Sequence, residues 1–143
     1  MIVVVDASVA VKWFLPEPFS EAAARLLDAS CELVAPDLMR LEVGSAFLKA
    51  LRRGVIGSSD AAGALMRLSD PLVRFEPTAP YVEDAFALAE RYGGSLYDAV
   101  YVRLAETLGA TLATNDRELA QTAIAANVEV WHVAEPSPAF LEL

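Results

Sequence analysis

A chain of 143 residues is enough for one domain with its own core, and a domain of this size buries about two-thirds of its unfolded surface, so no disulfide or metal staple is required. A hydrophobic share of 55% excludes disorder, and the longest apolar runs fall well short of the roughly 20 residues that span a bilayer, which predicts a soluble protein with no membrane anchor. The formal net charge of -9 repels polyanions at long range, so nucleic-acid binding through bulk charge is excluded and any such chemistry must rest on local geometry.

The continuous β-branched run Ile2 to Val5 predicts a buried, central parallel strand. It stops at Asp6 with no basic segment before it; with no secretory signal, the expected location is cytoplasmic. A short helix is expected to begin near Ser8, with Asp6 at its cap. Pro16-Glu17-Pro18 forbids a helix running on from Val9, and Ser20 to Ala29 then carries Ala22, Ala23, Leu26 and Leu27 at helical spacing. Cys31, alone of its kind, reads as a small buried hydrophobe.

Glu32 to Ala35 predicts a second strand, and Pro36 the opening of a long helix to about Arg53, where Gly54 stops it. Ser58-Ser59-Asp60 offers caps for a helix to about Leu68, and Leu72 to Phe75 reads as a short strand ended by Glu76-Pro77. Tyr81 to Tyr92 returns to helical spacing, Gly93-Gly94 breaks it, and Ser95 can cap a further helix through Leu108, closed by Gly109. Thr111 to Thr114 is the next strand, Asn115 to Glu118 has capping-box spacing for a helix to about Ala126, and Val128 to Val133 is the last strand before an irregular tail. Strands alternating with helices predict a three-layer α/β/α domain around a mainly parallel sheet, one unit over residues 1–143.

Four acids interrupt or end otherwise apolar stretches: Asp6, Glu42, Asp98 and Asp116. Each has a purely structural explanation. Asp6 can cap a helix, Asp98 lies third after Ser95, Asp116 suits a first helical turn, and Glu42 can be a solvated helix residue. Glu42 has no Lys or Arg three or four positions away, however, and Asp6 and Asp116 directly follow strands, where ligands of parallel sheets gather. Two carboxylates about 4 Å apart at an effective dielectric near 20 repel by about 4 kcal/mol, and a divalent cation with oxygen ligands reverses that penalty. A metal site is the expectation. Ser8 and Thr114 are secondary candidates for hydroxyl contacts. Lys12, Arg40 and Arg117 lie near the acids and could hold phosphates, although a plain surface role is favoured for each. His132 reads as a partly buried strand residue, and Trp13 and Phe14 as core or partner surface.

The segments Val3 to Val9, Pro36 to Val43, Leu96 to Tyr101 and Leu112 to Asp116 resemble, in this order, those of PIN-domain ribonucleases, and most closely the VapC-type toxins of type II toxin-antitoxin pairs. The resemblance covers nearly the whole chain, while Gly54 to Pro80 carries no diagnostic motif. It implies a PIN-like fold and a Mg²⁺- or Mn²⁺-dependent endoribonuclease that cleaves RNA by metal-activated water at a four-carboxylate site, leaving 5′-phosphate and 3′-hydroxyl ends. It also implies a homodimer held inactive by a cognate VapB-type antitoxin. Asp6 and Asp98 are the first choice for direct ligands, with Glu42 and Asp116 on a second ion or orienting water. Hard oxygen donors suit these ions, and the lack of a second His or Cys argues against zinc.

Two rival readings stay open on the residues alone. One is a metal-dependent phosphatase or phosphoryl-accepting domain with Asp6 as nucleophile, weakened because Asp6-Ala7-Ser8 lacks the second acid of a DxD motif. The other is a non-catalytic acidic module that seats a basic partner segment.

Overall fold

The computed structural model describes residues 1–69 and 71–142. Five strands form one sheet in the order β3-β2-β1-β4-β5, with β1 (Ile2–Val5) at its centre, β2 (Glu32–Pro36) and β3 (Arg74–Glu76) to one side, and β4 (Thr111–Thr114) and β5 (Val130–His132) to the other. Every pairing is parallel. Parallel neighbours need crossovers, and the chain supplies them as α1 (Ala7–Ala10), α2 (Ser20–Asp28), α3 (Leu38–Arg52), α4 (Ser58–Arg67), α5 (Val82–Tyr92), α6 (Leu96–Leu108) and α7 (Arg117–Ala125). The result is the expected three-layer α/β/α arrangement.

The unbroken β-branched run of β1 is explained by coverage on both faces, since Val3, Val4 and Val5 are wholly buried. α6 lies against β1, β2 and β4 and buries Ala99, Val100, Tyr101, Val102, Leu104 and Ala105. Trp13 and Phe14 pack against the same core: the Trp13 indole donates to Ala23 O at 2.9 Å, and the Phe14 ring meets Phe47 edge-on. Cys31 is partly buried against the core rather than enclosed. Among the described residues no helix is long and apolar enough to cross a membrane.

Several boundaries differ from the sequence expectation. Pro36 ends β2 opposite Glu76 instead of opening α3, which starts at Leu38; a proline at a strand end forfeits little of the ladder. β3 begins at Arg74, two residues late, because its register is fixed by Val34↔Arg74 pairing and not by its own apolar run. β5 is cut to Val130–His132, since Asn127 turns the chain at positive φ before it. The cap of α7 is Asp116 itself and not Asn115. The tail holds one 3-10 turn, Ala139–Leu141.

Candidate active site

The pairing of β1 with β4 sets the site. Val5 lies beside Ala113, and the ladder continues one step further, with Asp6 N–H donating to Ala113 O at 3.0 Å, so Asp6 and the Thr114-Asn115-Asp116 segment leave the sheet side by side at its C-terminal edge. Asp6 is 6% exposed and Thr114 fully buried. Asp6 holds the cap position of α1, but its side chain does not cap. Its Oδ2 instead accepts the Ser8 hydroxyl at 2.6 Å and the Thr114 hydroxyl at 2.9 Å. Asp116 N–H and Asn115 N–H in turn donate to Thr114 Oγ1 and Ser8 Oγ, both at 2.9 Å, so the two hydroxyls are locked as donors toward Asp6.

The other acids arrive on helices. α6 starts after Gly93 and Gly94, both at positive φ, a conformation a side chain would strain; Ser95 then caps the helix by accepting Asp98 N–H at 3.0 Å. α3 is pinned at its start by Asp37, which accepts the Thr78 hydroxyl at 2.6 Å, and Glu42 follows one turn later. Asp116 Oδ1 accepts Glu118 N–H at 2.9 Å and Leu119 N–H at 3.3 Å, fixing the start of α7.

Asp6 and Asp98 lie within repulsive range of each other and of both Glu42 and Asp116. Burial raises the pKa of Asp6, opposed by its hydroxyl partners and reinforced by Asp116. Glu42 is pushed up to about 7, chiefly by burial, with Asp6 and Asp98 adding to it. Asp98 is pushed up to about 6 by burial and then by Asp6 and Asp116. Among the described residues, however, no group of three or more His, Cys, Asp or Glu side chains is gathered so as to hold a metal ion as it stands.

Three of these acids are nonetheless held by identified donors. Asp116 commits Oδ1 and Glu42 commits Oε1 to hydrogen bonds, and the second oxygen of each accepts no hydrogen bond from a described residue, while Asp6 commits Oδ2 to two hydroxyls and also has the Ala7 backbone N–H as a partner. A carboxylate fixed through one oxygen and open at the other is how outer-shell partners orient metal ligands. The donor set is entirely hard oxygen, which fits Mg²⁺ or Mn²⁺.

The partner of Glu42 was not anticipated from sequence. It is Tyr101, wholly buried on α6, whose hydroxyl donates to Glu42 Oε1 at 2.7 Å. Burial, then the Asp6 and Glu42 charges, keeps this phenol protonated with a pKa well above its ordinary value. Its only sequence signal is its place three residues, about one turn, after Asp98.

Of the three cations for which a plain surface role was favoured over phosphate contact, Arg40 and Arg117 are exposed, Arg117 facing Glu135 at 3.7 Å, whereas Lys12 is buried and paired with Glu17 at 3.2 Å. His132 is buried at the far strand, where Nδ1 accepts Ala134 N–H and Nε2 has no partner among the described residues, in keeping with a strand residue.

Comparison with known proteins identifies the family and the fold. Residues 3–125 match the PIN domain family. Ribonuclease VapC3 of Pyrobaculum aerophilum is 39% identical over 123 residues, covering 85% of this chain and 94% of that protein. Ribonuclease VapC12 of Mycobacterium tuberculosis is 33% identical over 120 residues, covering 84% and 91%. Among solved structures, the Mycobacterium tuberculosis sarcin-ricin loop cleaving toxin VapC20 superposes with a TM-score of 0.70 at 20% identity, covering 88% of this chain and 95% of that one, a likeness of fold.

Proposed function

The chain belongs to the PIN domain family as a VapC-type ribonuclease, and from that premise we propose that it is a toxin endoribonuclease that needs Mg²⁺ or Mn²⁺, with Asp6, Glu42, Asp98 and Asp116 as its metal-binding and catalytic carboxylates. What supports the reading is that acids from four separate segments bear on one another's charge, with Glu42 and Asp116 each tied through one oxygen and the other left open. Purified chain should cut a structured RNA in Mg²⁺ or Mn²⁺ and not in chelator; equal cleavage in chelator contradicts the proposal.

A bound divalent ion supplies Lewis acidity, which makes water nucleophilic near neutral pH and offsets charge on the phosphate. Asp6 and Asp98 would hold it. Glu42, raised to about 7, can take a proton on Oε2 as water attacks phosphorus, while Tyr101 keeps Oε1 turned away. Cleavage of the P–O3′ bond then gives a 5′-phosphate and a 3′-hydroxyl. Asp116 would orient water or share a second ion, and Ser8 and Thr114 hold Asp6 in place.

Tyr101→Phe is expected to weaken Mn²⁺ binding by about tenfold, the lower end for loss of an outer-shell partner. Calorimetric titration with Mn²⁺, read beside a thermal melt, checks it; affinity equal to wild type removes Tyr101 from the site. The reading also carries a homodimer and a VapB-type antitoxin as partners. Copurification at native expression should recover a small protein with a basic or amphipathic tail, and steady recovery of the chain alone counts against that pairing.

A further inference from the structure

RNA must approach a molecule of net charge -9, so the placement of its eleven Lys and Arg residues matters. Among the described residues, Lys12, Arg74, Arg103 and Arg117 each face a carboxylate. Arg67 lies over the Phe14 ring, Arg91 over Tyr92, and Arg25 donates to Ser137. Arg40, Lys49, Arg52 and Arg53 are exposed and have no such engagement, and the last three fall within five residues at the C-terminal end of α3.

Cations there complement the helix dipole, but the dipole is indifferent to which face they occupy. Lys49 and Arg53 follow Glu42 by seven and eleven residues, close to two and three turns, so all three share one face. Met39, Val43, Phe47 and Ala50 take the core side of α3, and Arg40 projects opposite Glu42. At 1.5 Å per residue, Lys49 lies about 10 Å and Arg53 about 16 Å along the axis from Glu42, and the step of about 6 Å between them is comparable to that between phosphates of an extended strand.

We propose that Lys49 and Arg53 form a phosphate track along α3 that receives the RNA strand flanking the scissile bond, with Arg52 at its margin. This rests on the ribonuclease reading and adds where the strand lies. An acidic segment of a protein partner could also meet two cations, but the alignment with Glu42 favours the substrate, since one polymer must then touch both the acids and the stripe.

The test compares wild type with K49E/R53E, K49A/R53A and R40E in Mg²⁺-dependent cleavage of a labelled stem-loop RNA across a KCl series, together with anisotropy of the same RNA in EDTA. For K49E/R53E the track predicts a KM about tenfold higher, kcat within about twofold, and a slope of log KM against log salt shallower by about 1.4, from about 0.7 for each single-strand phosphate contact. R40E, a charge reversal on the opposite side of the helix, should leave the slope unchanged. Should the reversed pair melt early, the alanine pair decides, with the same loss of slope. Unchanged KM and slope in variants of an active wild type overturn the track alone, including where those variants lose a copurifying protein instead. Wild type that neither cuts nor binds RNA overturns the ribonuclease reading and the track together.

Discussion

Asp98→Asn is expected to lower kcat/KM for RNA cleavage by at least about 10³-fold, equivalent to about 4 kcal/mol of transition-state stabilisation. Asp98 follows Ser95, which accepts its backbone N–H; burial, then Asp6 and Asp116, push its carboxyl up to about 6, and the Ser95 hydroxyl opposes them as a hydrogen-bond partner. Asparagine keeps the shape and the Ser95 cap bond to the backbone but removes the charge. The fold should therefore survive. The metal-free variant should melt a few degrees higher than wild type, because a carboxylate pushed up to about 6 by burial and by its acidic neighbours no longer opposes folding. Single-turnover cleavage beside a thermal melt checks both halves. A variant that cuts like wild type displaces the assigned centre, and a variant that unfolds shows a structural role instead.

The second large effect couples pH to metal. Glu42 and Asp98 have folded-state values of about 7 and about 6, against ordinary values of 4.5 and 3.8, and Asp6 is raised as well. Raised acids mean that the folded chain binds more protons than the unfolded one between about pH 4 and pH 7, so metal-free stability falls as pH rises through that window. With both groups part-exposed, screening trims each contribution to on the order of 1 kcal/mol, which still moves the melting point by several degrees between pH 5 and pH 8. Mg²⁺ or Mn²⁺ competes with those protons, so the ion should stabilise the chain most at pH 8 and least at pH 5. Melts across pH, with and without Mn²⁺, read this out directly. Stability that climbs from pH 5 to pH 8 without metal, or a Mn²⁺ effect indifferent to pH, contradicts the coupled acid cluster.

Much of this was legible because the strongest signals are local. Ile2–Val5 and Thr111–Thr114 were read to the residue, since a β-branched run or a strand closed by a capping acid marks its own ends. Ser95 and Gly109 bounded α6 by cap chemistry alone. β3 was misplaced because three residues at a sheet edge take their register from β2, which no local pattern encodes. The four acids stood out as charges that interrupt or end apolar stretches, Glu42 with no Lys or Arg three or four positions away. What holds them did not: Tyr101 reaches Glu42 across 59 positions and the Thr114 hydroxyl reaches Asp6 across 108, distances over which a single sequence carries no pairing information. Cations for phosphate were considered only close to the acids in sequence, at Lys12, Arg40 and Arg117, with a plain surface role favoured for each. The proposed cations aligned with Glu42, which have no ion pair among the described residues, are set by helical phase along α3, two and three turns away.

Diffraction from crystals soaked in Mn²⁺ tests the whole account most directly, because anomalous scattering locates the ion without assuming any reaction. The account predicts a peak bounded by Asp6 and Asp98, with Glu42 still held by Tyr101 and Asp116 within reach of the ion or its water. Crystals with no peak among these four carboxylates at millimolar Mn²⁺, from protein that still cuts RNA under the same conditions, would place the chemistry elsewhere on the molecule.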